Sequence, residues 1–283
     1  MLGLIIDVHT HLGSVRSYSP VLKGVITVSK DDLKEYMNAV GVDYAVLLST
    51  PELRPDIGEN IYDAWKVLDA CRGEHNLIPF CSINPTVEDA LETVERLYEE
   101  GARGFGEHKV RLRVDHPSSK AIYELCGRLG MPVLLHIDRG HNMDIHAFIE
   151  VAKTHSNTVF IAHGPGWWRE ISANPPPDVD YPKGPVKPGG LVEKTLKELP
   201  NVYADISATS GLNALSRDLG YSRRFLRECR DKILYGTDFP CICDYGDQYG
   251  PNRRHLKLLR KLELEEEVYE AIIYKNAERI LKL

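Results

Sequence analysis

Two histidines separated by a single residue lie close to the start of the chain. His9 and His11 follow the apolar run from Leu4 to Ile6. Because successive side chains of a strand point to opposite sides, a strand here directs both imidazoles to the same side. A His-x-His pair at a strand end is typical either of a metal site or of two histidines that only form hydrogen bonds. The pair alone leaves both interpretations open.

Three more polar residues end apolar runs farther along the chain. His136 closes PVLLH, His163 closes TVFIAH, and Asp238 closes ILYGTD. A lone histidine at such a place is usually a hydrogen-bonded core residue. Four imidazoles and a carboxylate that meet at one point instead suit a borderline divalent cation such as zinc. If the fold brings them together with His9 and His11, the sequence predicts a metal site.

The hydrophobic pattern predicts the elements that must position these residues. Short apolar runs begin near residues 4, 43, 77, 103, 132, 158, 201 and 232. Between them lie stretches with helix caps and amphipathic spacing, such as a helix that begins after Ser29 and ends near Gly41. Strands that alternate with helices form parallel βαβ units, and eight units fit a closed (β/α)8 barrel of about 250 residues. We therefore expect one α/β TIM-barrel domain over residues 1–283.

A barrel of this kind places the five polar residues at one mouth, because the carboxyl ends of its strands meet on one face and carry the active site. Three long connections follow strand ends on that face, over residues 12–28, 164–190 and 239–253. The segment 174–190 is rich in Pro and Gly, and we expect it to cover the substrate rather than to form a plain surface loop.

A helix over 86–101 is expected to bury Leu91, Val94 and Leu97.

The composition excludes several classes of protein. The formal net charge is −6 and no long basic run is present, so nucleic acid is not an expected partner. No apolar stretch approaches the roughly 20 residues that cross a membrane, and no basic region precedes Asp7 as in a signal peptide. The six cysteines are scattered, which favours reduced thiols and a cytoplasmic location. Cys241 and Cys243 are a weaker candidate for a metal site, since no second thiolate pair accompanies them.

Several motifs together identify a family. The segments DVHTH, LLHI, IAHGPG, LYGTDFP and YKNAERIL occur in this order along nearly the whole chain. The chain resembles the amidohydrolase superfamily, in particular its amidohydrolase-related ("amidohydrolase 2") branch. The resemblance implies that His9, His11 and His136 bind a divalent metal, with zinc expected and one or two ions present. It also implies that Asp238 is a ligand or the general base, and that His163 is a ligand or polarises substrate or water.

The fourth predicted strand carries two further candidates. In GFGEHKV, alternation places Glu107 and Lys109 on one face and His108 on the other. Relatives with two metals lead one to expect a bridging carboxylate at Glu107 or a carbamylated Lys109. The alternatives are an inward salt bridge, or a Glu107 that orients a ligand histidine.

Residues that follow the ligand-bearing strands are candidates for substrate binding. These are Arg139, His141 and Trp167, and an arginine there would suit a substrate carboxylate. The alternative for each is ordinary loop packing. The expected partner is a small molecule, and a homo-oligomer remains open.

The expected reaction is hydrolysis of a small amide, ester or lactone by a metal-activated water. Asp238 would accept the proton of that water, with His163 assisting as a hydrogen-bond donor. The resembled branch also contains lactonases, hydratases and decarboxylases. A metal-dependent non-oxidative decarboxylase or hydratase of an unsaturated or aromatic carboxylic acid is therefore the alternative. A catalytically silent metal-binding protein is a third, which the complete acid/base and ligand set disfavours.

Overall fold

The computed structural model describes residues 3–18, 23–51, 58–241 and 253–283. Its strands, in chain order, are β1 (Ile6–Thr10), β2 (Gly13–Tyr18), β3 (Lys23–Val28), β4 (Tyr44–Leu48), β5 (Asn60–Ile61), β6 (Leu77–Phe80), β7 (Phe105–His108), β8 (Val133–His136), β9 (Phe160–His163), β10 (Val202–Asp205) and β11 (Ile233–Leu234). Strands β1, β4 and β6 pair in parallel, and so do β7 to β11 in chain order.

Two short sets of backbone contacts join these sheets into a closed barrel. Between β6 and β7, the amide of Cys81 donates to the carbonyl of Gly104 at 3.0 Å. Between β11 and β1, the amide of Val8 donates to the carbonyl of Tyr235 at 3.0 Å. The eight parallel strands therefore form a (β/α)8 barrel, and the predicted fold class is confirmed.

Helices surround the barrel. They are α1 (Lys30–Val40), α2 (Ala64–Cys71), α3 (Ala90–Glu99), α4 (Pro117–Leu129), α5 (Ile145–Thr154), α6 (Pro165–Trp168), α7 (Leu191–Glu198), α8 (Ala208–Ser216), α9 (Leu219–Glu228), α10 (Arg254–Lys261), α11 (Glu266–Glu270) and α12 (Asn276–Leu281). Helix α1 begins after a capping box at Ser29 and ends at Gly41, which is left-handed with φ 86°, as predicted.

The core has two layers. Inside the barrel, side chains such as Val8, Leu48 and Leu134 pack together, and Ile280 and Leu281 of α12 pack against this cluster. A larger layer between strands and helices holds most other apolar side chains. Because the interior is filled with apolar side chains, the polar residues at the carboxyl ends of the strands lie directly on top of a packed apolar layer.

Helix α3 differs from the prediction at one residue. Val94 and Leu97 are buried, but Leu91 is 42% exposed and Ala90 is buried in its place. Residues at i, i+4 and i+7 stay on one face, whereas repeated steps of three turn away from it by about 60° each. The buried side of α3 therefore runs through Ala90, Val94 and Leu97.

The three long connections have different structures. Residues 12–28 contain the antiparallel hairpin of β2 and β3, which pairs with β5. Residues 164–190 are described in full, whereas 242–252, most of the third connection, lie outside the described residues. Among the helices of the described part, none has the length and apolar character needed to span a membrane.

Candidate metal centre and active site

A cavity of about 290 Å³ lies at the carboxyl ends of the barrel strands. Its wall includes five of the residues that the sequence singles out, namely His11, Glu107, His136, His163 and Asp238. His9 lies at the same strand ends and is fully buried. The fold therefore brings the predicted polar residues to one place.

Three electron-pair donors converge at the base of this cavity. The Nε2 atoms of His9 and His11 are 3.1 Å apart, and Asp238 Oδ1 lies 3.4 Å from each. The Nδ1 atoms face acceptors instead, Asp205 Oδ2 at 2.6 Å and the carbonyl of Leu48 at 3.1 Å. Nδ1–H groups donating to these acceptors leave the Nε2 lone pairs directed at one another. This donor set fits a divalent cation.

The charges at this cluster agree with the same conclusion. Burial opposes protonation of His9, but the carboxylates of Asp205 and Asp238 raise its pKa to about 9. Burial also opposes ionisation of Asp238, but His9 and His11 lower its pKa to about 2. Asp238 is therefore ionised at neutral pH, and the carboxylates hold a proton on His9 that a divalent ion would displace on binding.

Glu107 lies between this cluster and the next two histidines. Its Oε2 is 3.6 Å from His11 Nε2, while its Oε1 is 2.6 Å from His136 Nδ1 and 3.9 Å from His163 Nε2. His9, Glu107 and His163 form a second group of donor atoms close enough to hold an ion. Glu107 therefore has one oxygen toward His11 and the other toward His136 and His163, and its role as a bridging ligand stays a prediction.

His163 is neutral in this setting. Burial and the positive charge of His9 lower its pKa to about 3. Its Nδ1 lies 2.9 Å from Ser207 Oγ. A neutral imidazole suits either metal ligation or hydrogen bonding to substrate, so both predicted roles remain open.

His136 occupies a different local position from His9 and His11. Its Nδ1 faces Glu107, and its Nε2 lies 2.9 Å from Asp138 Oδ2. Asp138 in turn lies 3.1 Å from His141 Nδ1, so that His136, Asp138 and His141 form a third possible donor group. Ligation of a metal by His136 stays a prediction.

Lys109 lies on the cavity wall. Within the described part of the chain, its ammonium has no hydrogen-bond or ion-pair partner. Burial opposes its charge, but nearby carboxylates, Glu107 first, raise its pKa above the ordinary value. Carbamylation of Lys109 stays a prediction.

Two of the three predicted substrate contacts lie off the cavity wall, and contact of either with a substrate stays a prediction. Arg139 does not reach the cavity wall, because its guanidinium pairs with Asp180 at 2.8 Å and Asp178 at 3.3 Å. Trp167 is fully buried and packs edge-to-face on Phe148 of the outer layer. His141 does line the cavity, and its contact with substrate stays a prediction.

The segment 174–190 reaches the cavity through one residue. Tyr181 lies on the wall, and the ion pairs of Arg139 attach this part of the chain to the connection after β8. This position agrees with the expected covering role. Of the cysteine pair, Cys241 lies on the cavity wall, whereas Cys243 lies outside the described residues.

Sequence reasoning missed Asp205, Ser207 and Asp138. Asp205 ends the run VYAD of β10, so the strand-end rule that singles out His163 applied to it equally. Asp138 lies two residues after His136, the same spacing as in His9-x-His11. Ser207 carries no signal of this kind; its Oγ donates to Asp205 Oδ2 at 2.8 Å.

Asp205→Asn is expected to weaken metal binding by about 10- to 100-fold, because a carboxylate that orients a ligand histidine contributes that much to affinity. Titration against a chromophoric chelator measures the change. Asp69→Asn is the matched control, since Asp69 is 80% exposed and pairs only with Arg72 at 3.8 Å. Equal affinities in the wild type and both variants would show that Asp205 does not position a ligand.

The comparisons with known proteins agree with the fold. A probable 2-pyrone-4,6-dicarboxylic acid hydrolase from Acinetobacter baumannii, solved with citric acid, matches at 13% identity and TM-score 0.64, over 99% of this chain and 100% of that one. A 2,6-dihydroxybenzoate decarboxylase from Rhizobium matches at 15% identity and TM-score 0.58, over 99% of both chains.

A dihydroxybenzoic acid decarboxylase from Polaromonas sp. JS666, solved with manganese and 2-nitroresorcinol, matches at 18% identity and TM-score 0.56, over 100% of this chain and 98% of that one. No curated protein sequence matches the chain. The family model described as amidohydrolase (Amidohydro_2) matches residues 6–283. Since this match spans almost the whole sequence, the chain belongs to the amidohydrolase family.

Proposed function

We propose that the protein is a metal-dependent hydrolase of a small amide, ester or lactone. The observation that carries this proposal is the convergence of His9, His11 and Asp238 below a cavity whose wall also holds Glu107 and Lys109. The cavity volume of about 290 Å³ suits a small substrate.

His9, His11 and Asp238 would hold one divalent ion, and zinc suits this mixture of imidazole and carboxylate. Glu107 stands where it could share that ion with a second one held by His163. A divalent ion held there would activate water as a nucleophile at neutral pH and polarise the carbonyl under attack.

The side chains of this chain supply the proton transfers and the orientation. Asp238 is ionised, so it can accept a proton from the attacking water and pass it to the leaving group. His163 is neutral and can donate a hydrogen bond to the carbonyl oxygen as negative charge develops there. The ammonium of Lys109, which has no hydrogen-bond or ion-pair partner among the described residues, can pair with an anionic part of the substrate.

A decarboxylase or hydratase of an unsaturated or aromatic carboxylic acid is the second candidate. The observation in its favour is Lys109, because a lone ammonium beside a metal site suits a substrate carboxylate. Two of the three similar solved structures described above are decarboxylases, one with manganese bound, so manganese is a second candidate metal. Glu107 favours hydrolysis instead, because its position suits two ions rather than one.

A panel of substrates distinguishes the two reactions. We expect the metal-loaded protein to hydrolyse at least one lactone, ester or amide without releasing carbon dioxide, because the cluster is arranged to activate water. Proton release and carbon dioxide are measured in parallel, with chelator-treated protein as the control. Carbon dioxide from an aromatic or dienoic acid, with no hydrolysis anywhere in the panel, would establish the second candidate instead.

The location, partners and oligomeric state of the protein are also proposals. Four cysteines, Cys71, Cys81, Cys126 and Cys229, are buried free thiols, which supports a reducing compartment such as the cytoplasm. The net charge of −6 supports a small molecule rather than a nucleic acid as partner. Self-association into a homo-oligomer is compatible with a cytoplasmic location and with a small-molecule partner.

A further inference from the structure

The connection after β9 contains a loop whose two ends are tied together. The amide of Ala173 donates to the carbonyl of Lys187 at 2.9 Å, and the amide of Lys187 donates to Ser172 Oγ at 2.9 Å. The residues between these contacts, 174–186, form a compact strap with adjacent ends. Surface loops with this closed shape are frequently functional.

Two arginines hold the first part of the strap. Arg139, which follows β8, donates to Asp180 Oδ1 at 2.8 Å and to Asp178 Oδ1 at 3.3 Å. Arg139 also donates to the carbonyl of Pro177 at 3.1 Å, and Arg169 donates to the same carbonyl at 2.9 Å. The strap is therefore attached to the connections that follow β8 and β9.

The second part of the strap is attached to a different region of the barrel. Asn213 Nδ2 of α8 donates to the carbonyl of Pro182 at 3.2 Å. The amide of Val186 donates to Asp218 Oδ2 at 3.1 Å, at the start of α9. The strap therefore extends from the connections after β8 and β9 to the helices that follow β10.

Tyr181 lies between these two sets of contacts. Its neighbours Asp180 and Pro182 are the residues that Arg139 and Asn213 hold. Tyr181 lines the cavity and is 43% exposed. Single exposed aromatic side chains are common, but this one is fixed through both chain neighbours beside the cavity that contains the metal-binding residues. A molecule bound in that cavity can cover its ring.

The cavity wall is apolar in part. Val15, Ile61, Pro165 and Pro240 line it together with Tyr181, in addition to the polar residues of the donor groups. A pocket of this composition binds the apolar body of a ligand with its hydrophobic side chains and orients it through a few polar groups.

We propose that Tyr181 determines substrate specificity by covering an apolar group of the substrate, and that Arg139 is the residue that positions it. This inference rests on the proposed function, because it takes the cavity as the place where the substrate meets the metal. It explains why Arg139 lies off the cavity wall. The ion pairs of Arg139 are exposed and contribute little to folding, so their loss releases the strap without unfolding the barrel.

Two hydroxamates that differ only in their apolar group test the role of Tyr181. Both chelate zinc through the same two oxygens, so acetohydroxamate reports on the metal and benzohydroxamate adds a phenyl group. We expect the zinc-loaded wild type to bind benzohydroxamate more tightly, and Tyr181→Ala to weaken that binding on the order of tenfold, because the phenyl group loses its apolar cover. The affinity of Tyr181→Ala for acetohydroxamate is expected to stay at the wild-type value. Calorimetric titration gives the dissociation constants, and elemental analysis confirms equal zinc content.

Two further variants isolate the aromatic ring. Tyr181→Phe retains the ring and is expected to bind both hydroxamates like the wild type. Tyr98→Ala is the matched control, because Tyr98 is 38% exposed on α3 and lies off the cavity wall. Thermal melting checks that each variant folds.

Arg139→Gln tests the positioning role. It is expected to weaken benzohydroxamate binding by about threefold or more, because the released strap must be ordered again when the ligand binds. This effect is expected to disappear in the double variant with Tyr181→Ala, since Arg139 acts through that ring. Arg113→Gln is the matched control, because Arg113 is also exposed and pairs with Asp115 and Asp144 at 3.0 Å each.

Limited digestion with trypsin measures the attachment of the strap directly. Lys183 lies in the strap and is exposed, and cleavage after it requires the backbone to leave its contacts. We expect faster cleavage at this bond in Arg139→Gln than in the wild type or Arg113→Gln, as identified by mass spectrometry. Equal rates in all three would show that Arg139 does not hold the strap.

The outcomes separate this inference from the proposed reaction. A wild type without preference for benzohydroxamate, or a preference that persists in Tyr181→Ala, would overturn the specificity role. An Arg139→Gln effect that remains in the Tyr181→Ala background would overturn the positioning role. A substrate panel without hydrolysis would overturn the hydrolase and leave the hydroxamate data unchanged, because their binding needs the metal and not the reaction. A preference that Tyr181→Ala removes, and that Arg139→Gln weakens only when Tyr181 is present, supports the inference.

Discussion

Replacing both His9 and His11 with Asn is expected to remove most of the divalent metal from the purified protein while the barrel stays folded. The two Nε2 atoms lie 3.1 Å apart and supply two of the three donor atoms of this cluster, and Asp238 supplies the third. Asn has a similar polarity and a smaller volume, so it fits the strand end without providing an imidazole. The apolar side chains inside the barrel, such as Val8 and Leu134, are not changed.

Elemental analysis after dialysis measures the metal, and circular dichroism measures the fold. The control is His146→Asn, which changes an exposed histidine of α5 outside the three donor groups. We expect wild-type metal content in the control and a loss of most of the metal in the double variant. An unchanged content in the double variant would show that the ion binds elsewhere.

The main features of this site could be predicted because the side chains of a strand alternate regularly between its two sides. Apolar runs that end in His9, His136, His163 and Asp238 require only that parallel strands share one carboxyl face. The same rule extends to Asp205. Residues at strand ends are fixed by the barrel itself, so their convergence follows from the sequence.

Residues beyond the strand ends follow no such period. Trp167 lies in α6, only four residues after His163, and that short helix turns its indole outward onto Phe148. Arg139 lies three residues after His136 and pairs with Asp180, a contact between connections that no local pattern encodes. Both side chains lie off the cavity wall for the same reason, since loop side chains are directed by tertiary contacts.

Glu107 shows how a correct placement can depend on an irregular strand. Phe105 packs in the outer layer, and strict alternation from it would turn Glu107 outward as well. The pairing of β7 with β8 shifts register between Phe105 and His108. Gly106 faces Leu134 of the interior, and Glu107 still reaches the cavity. A bulge of this kind places the carboxylate, and the sequence carries no clear sign of it.

Asp238→Asn is expected to lower turnover by about 10²-fold or more, as for the loss of a general base, with little change in thermal stability. Asn is nearly isosteric with Asp but cannot accept the proton of the attacking water. The backbone at Asp238 is left-handed, with φ 62°, a conformation that Asn tolerates well. Its side chain is 25% exposed and lies outside the apolar core, so losing its charge is expected to lower the melting temperature only slightly.

Three measurements on Asp238→Asn separate the roles that the carboxylate can have. Turnover is measured on whichever panel substrate the wild type hydrolyses, together with metal content and the melting temperature. Metal retained with turnover lost identifies Asp238 as the general base, because His9, His11 and Glu107 then suffice to hold the ion. Metal lost together with turnover identifies it as an essential ligand. Turnover equal to that of the wild type would exclude both roles and leave Glu107 as the next carboxylate of the cavity wall to test.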